Sequence, residues 1–128
     1  METPNLKTVK IGTKETPKLT AKDCIVQNVD TVFVEKAKNN KAVFSLKHPD
    51  ADEPLNVSSA VIMRERKDKK EIVSSGTWMS LDIDNQLDKN SATSHVLRTY
   101  GATSLIEMIG KSVKTEVDSS GYLAIKAY

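Results

Sequence analysis

Between residues 42 and 63 the chain alternates apolar and polar side chains with a period of two, a pattern that fits half-buried β-strand and little else. Ala42, Phe44 and Leu46 fall on one face, with Val43, Ser45 and Lys47 on the other. His48-Pro49-Asp50 ends this strand, because proline cannot donate to a ladder. Leu55, Val57, Ser59, Val61 and Met63 then repeat the alternation. Upstream, residues 18–35 hold Ile25, Val26, Val29, Thr31, Val32, Phe33 and Val34 without a glycine or proline, which favours a long strand. Its phase slips between Val26 and Val29, predicting a β-bulge where the strand bends. Residues 72–81 form a further strand, broken by Gly76 and carrying Trp78.

Beyond residue 89 the pattern changes. Asn90 or Ser91 can cap a helix, and Ala92, Val96, Leu97 and Tyr100 follow at helical spacing, with Gly101 where a C-terminal glycine belongs. A second short turn over residues 105–109 is expected after a Ser104 cap, ending at Gly110. Val113, Thr115 and Val117 alternate again. A turn at Asp118-Ser119-Ser120-Gly121 then leads into a last strand with Leu123, Ile125 and Ala127. Residues 1–17, with Pro4 and Pro17, read as a flexible leader or an edge strand, and residues 18–128 as one domain of ordinary size.

Composition excludes several classes. Hydrophobic residues are 38% and charged residues 28%, so wholesale disorder is excluded. No apolar run approaches the roughly 20 residues that span a bilayer, and residues 1–10 lack the apolar region of a secretory signal. Cys24 stands alone and cannot form an internal disulfide. With only His48 and His95 beside it, a structural zinc site lacks ligands. These features fit a reducing, cytoplasmic compartment. Asp82, Asp84 and Asp88 lack the sixth-position glycine and twelfth-position glutamate of a calcium loop. No P-loop, nucleophile elbow, dinucleotide fingerprint or paired-carboxylate motif occurs, so neither an enzyme nor a cofactor is expected.

A helical segment placed between the third strand and a closing hairpin is the element order of small OB barrels. The run Gly110-Lys111-Ser112-Val113, followed by a hairpin ending Tyr122-Leu123-Ala124-Ile125-Lys126, resembles the last two strands of OB-fold proteins of the single-stranded nucleic-acid-binding type. The resemblance implies a mainly β, OB-like small barrel with one helical segment before the C-terminal hairpin. It also implies binding of single-stranded DNA or RNA with low sequence specificity, DNA favoured. Residues 72–81 are one strand more than the minimal scheme. They read as half of a long hairpin leaving the barrel, or as part of another barrel or sandwich.

The residues suited to such binding are few. Trp78 points away from Thr77, Met79 and Leu81, so it either stacks a base or packs under the helix. Tyr122 alternates with Ala124, Lys126 and Tyr128, a face that suits either a stacking platform or plain solvent. Residues 64–70 carry five basic groups (Arg64, Arg66, Lys67, Lys69, Lys70) against Glu65 and Asp68. They read as a mobile finger for phosphate or as a solvated hairpin tip. Lys114 and Lys126 add cations near the closing hairpin. A net charge of only +2 and 5% aromatics keep open a second reading, a module for binding a protein partner or for self-association.

Overall fold

The computed structural model describes residues 6–8 and 19–128. Of the expected leader, only Leu6–Thr8 falls among them, as a single 3-10 turn; the rest of that expectation lies outside the described residues. Among the described residues no helix is long and apolar enough to cross a membrane.

The long β-branched run becomes β1 (Cys24–Val34), which pairs antiparallel with β2 (Asn39–Lys47). The register slips between Val26 and Asn28, where the phase of the sequence breaks. β2 pairs in turn with the short β3 (Leu55–Val57). One residue, Ser58, separates β3 from β4 (Ser59–Arg66), which turns back as β5 (Lys69–Gly76). After the helix α1 (Ala92–Thr99), β6 (Ser112–Val113) returns to β1. Past Lys114, β7 (Thr115–Val117) pairs with the last strand, β8 (Leu123–Ala127). β8 runs parallel to β4 through Ala60–Ile125 and Ile62–Ala127.

The sheets have the strand orders β3-β2-β1-β6 and β5-β4-β8-β7. Each shares two nearly continuous runs with the other, divided only at Ser58 and Lys114, so the pairings follow one another round a curled, barrel-like layer. This is the mainly β, OB-like layout with one helix that the sequence predicts. The supernumerary strand is β5, and β4–β5 is the hairpin that leaves the barrel. After it, Thr77 accepts from Ala42 N–H (2.7 Å) and Met79 N–H donates to the Asn40 carbonyl (2.8 Å), so the chain rejoins β2.

Phe44, Leu46, Val26, Ile62, Val113 and Ile125 are fully buried in one cluster, joined by Val96 and Leu97 of α1. Burying side chains of this size stabilises by about 1.5–3 kcal/mol each. The helix is held at both ends. Ser91 Oγ accepts from Ser94 N–H (3.1 Å). Gly101, at φ +69°, lets its own N–H reach Arg98 and that of Ala102 reach Leu97, a Schellman stop. Tyr100 then clips the strand crossover: its hydroxyl donates to the Lys126 carbonyl and accepts from Lys114 N–H (2.9 Å). The following 3-10 turn, Leu105–Met108, differs from expectation at its cap. Ser104 makes no side-chain cap bond; Glu107 instead reaches back to Thr103 N–H (2.7 Å). Those amide and hydroxyl donors hold the Glu107 carboxyl below its ordinary range.

Candidate functional site

An open groove of about 810 Å³ runs between β3 and the turn that precedes β8. Lys41, Leu55, Asn56, Ser58, Tyr122 and Leu123 are among its lining residues. Its far lip is a rigid turn. Asp118 Oδ1 accepts from Ser120 N–H (2.9 Å) and Tyr122 N–H (3.0 Å), and Gly121 takes φ +86° to close the loop. Tyr122 therefore stands on a fixed backbone with its side chain 73% exposed. The backbone that carries this ring is ordered before any ligand arrives.

The near lip follows from the strand register. Ala42, Phe44 and Leu46 fill the core, so Lys41 lies on the outer side of β2. Across the ladder Lys41 bridges to Trp78, which puts both side chains on that outer surface. The Lys41 ammonium sits 5.1 Å from the centroid of the indole ring, a cation–π pair. Three neighbours fix Trp78. Thr77 is fully buried and donates to the Ala42 carbonyl (2.7 Å), and Thr93 of α1 donates to the Trp78 carbonyl (2.7 Å). Gly76 leaves the ring room, since a Cβ there would lie 2.8 Å from the indole Nε1 and 2.9 Å from Lys41 Cε. Trp78 is half-buried.

The groove thus links two of the residues singled out in the sequence, Tyr122 directly and Trp78 through Lys41. Lys41 was not singled out. Its outward register was readable from the alternation of β2, but the tryptophan opposite it was not.

The remaining residues lie elsewhere. Lys126 is half-buried, with its ammonium 4.8 Å from the Tyr128 ring, whose hydroxyl donates to Glu116 (2.7 Å). Ala124 is fully buried, so the alternate residues of β8 do not form one continuous outer face. Lys114 is exposed at the crossover between β6 and β7.

The basic stretch is strand and not a loop. Arg64 and Arg66 lie on β4, Lys69 on β5, and only Lys67 and Asp68 form the turn, both at positive φ (48° and 65°). Arg64 pairs across from Glu71, and Glu65 from Lys70, whereas Arg66 faces Lys69. Net positive charge is therefore concentrated at the tip, where Arg66, Lys67 and Lys69 outnumber Asp68. β4 covers eight residues from Ser59 at the groove to Arg66, so the tip stands roughly 20 Å or more away.

Cys24 and His48 both lie inside the fold. Cys24 is buried, and burial raises its thiol pKa, which disfavours the reactive thiolate. His48 is buried and used structurally: its Nδ1 accepts from Asp50 N–H (3.0 Å), leaving Nε2 to donate to the Thr20 carbonyl (2.7 Å). Among the described residues no three His, Cys, Asp or Glu side chains converge as a metal site. Asp82 serves its own turn, accepting from Asp84 N–H and Gln86 N–H. No protein-family model matches this chain, and neither a curated protein nor a solved structure is significantly similar to it.

Proposed function

We propose that this domain is a binding module, not an enzyme, and that it holds single-stranded nucleic acid in the groove between β3 and the 118–122 turn. The observation that carries this reading is the pair of lips: exposed Tyr122 on one side, and Lys41 stacked on Trp78 on the other. In OB-like barrels the outer face of the second and third strands, with the loop before the last strand, is where oligonucleotides lie. Membership of the single-strand-binding OB proteins would account for the element order and the groove together.

In this reading Tyr122 stacks a base, at about 1–3 kcal/mol per base. Lys41 meets a phosphate while the indole beneath it keeps its ammonium in place. Stacking and phosphate contact read no base edge, so sequence preference is low. Arg66, Lys67 and Lys69 are a second, remote set of backbone contacts, with Lys114 and Lys126 as minor ones.

The test is fluorescence anisotropy of a labelled oligo-dT strand at low and moderate salt. Binding should weaken with salt along a log–log slope of about 0.7 per phosphate engaged, and Tyr122→Ala should raise Kd roughly 5–100-fold. Absence of binding at low salt would overturn the proposal.

A further inference from the structure

A second groove, of about 720 Å³, lies between α1, the loop of residues 81–87 and residues 102–105. Met79, Leu87, Leu97 and Leu105 give it apolar walls, and each packs against or belongs to the core. Among the described residues, the only charged side chains lining it are Lys89 and Arg98, and no carboxylate lines it. The nearest acid of the 102–108 segment, Glu107, is engaged by Thr103 through both carboxylate oxygens (2.7 and 3.0 Å).

The loop beside this groove has the opposite character. Asp82-Ile83-Asp84 presents one apolar side chain between two carboxylates, and Ile83 is 100% exposed. The loop is nevertheless well built. Leu81 and Leu87 form a bridge, Asp82 N–H donates to the Gln86 carbonyl (2.7 Å), and Asp82 Oδ1 takes two amides at 2.8 and 3.0 Å. Asn85 supplies the left-handed residue at φ +58°. A well-bonded loop that holds an isoleucine wholly in water leaves its apolar surface without a partner in this chain.

We infer that the tip Asp82-Ile83-Asp84 of one copy seats in the groove of a second copy, forming a two-fold dimer. The tip complements the groove in both terms, an apolar anchor for apolar walls and carboxylates for Lys89 and Arg98. Tip and groove also adjoin on one surface. A two-fold axis near their boundary lets each copy donate its tip and receive its partner's, the self-complementarity that an isologous contact requires. Two small tips bury less than a standard interface, so the dimer is weak and concentration-dependent. It is independent of the nucleic-acid reading, because the first groove shares no lining residue with this one.

Sedimentation velocity of the full chain over a concentration series tests it. Reversible dimerisation is expected, and Ile83→Ser should raise the dimer Kd roughly 10–100-fold without moving Tm. Arg98→Glu should weaken association, and adding Asp84→Lys to the same chain should recover part of it. A chain that stays monomeric at every concentration overturns the inference. So does a dimer whose Kd ignores Ile83→Ser.

Discussion

At the first groove one lysine and one tryptophan, joined by a single bridge, are held by buried threonines and a glycine gap. At the tip of the β4–β5 hairpin, five cations stand on two strands and a two-residue turn. β4 has β8 beside it only over Ala60–Ile62; beyond that, no third strand joins the hairpin among the described residues. The tip has more charge, and the groove has more order. Affinity depends on order as much as on charge, because a ligand need not immobilise side chains that are already fixed. The groove should therefore set affinity and the tip its salt dependence.

The largest expected difference between the two regions is in stability. Phe44→Ala removes a fully buried ring from the barrel and should cost about 3–5 kcal/mol. Ile72→Ala, on the hairpin and 55% exposed, should stay within about 0.5 kcal/mol. Urea titration measures both; equal costs would mean that the hairpin is as integral to the fold as the barrel.

Next comes Gly76→Ala. The added Cβ would crowd the indole Nε1 and Lys41 Cε, so the Trp78 ring must move. Its emission should shift and oligo-dT affinity should fall by about 0.5–1 kcal/mol, the order of the cation–π support that Lys41 would lose. An unchanged emission maximum would show that the ring has slack, and the claim of a pre-set lip would fail. At the tip, replacing Arg66, Lys67 and Lys69 with serine should flatten the salt slope by up to about 0.7 per lost phosphate contact. Affinity at moderate salt should change less than for Tyr122→Ala.

The smallest effect concerns the seam between helix and hairpin. Burial, then Arg98 and Arg64, hold the His95 pKa below the ordinary value of about 6.5. Because the folded value is the lower one, His95 contributes stability above pH 6.5 that is lost as pH falls through its folded pKa. Arg64→Gln removes one of the two cations, so the NMR titration of the His95 ring should move upward. No movement would mean that the root of the hairpin does not face α1.

These regions also differ in how far the sequence reveals them. The bulge after Val26, the period of β2, the Ser91 cap and the Gly101 stop rest on neighbours within a few residues, and local pattern shows each. The outward facing of Trp78 was legible for the same reason. Its partner was not, because Lys41 and Trp78 meet only after an 18-residue excursion, residues 59–76, returns the chain to β2. The basic run looked like a loop because Lys and Arg are poor strand markers; cross-strand pairing with Glu71 and Glu65 places them on strands. The expected Tyr and Lys face of β8 is interrupted at Ala124, which is fully buried, and alternation alone cannot reveal that.

The most direct test of the central claim is an amide and indole NMR titration with unlabelled oligo-dT. The largest shifts are expected at residues 55–59, residues 118–123 and the Trp78 indole N–H, with smaller, salt-sensitive shifts at residues 66–69. Shifts confined to the hairpin tip, with the groove and the indole unmoved, would contradict it.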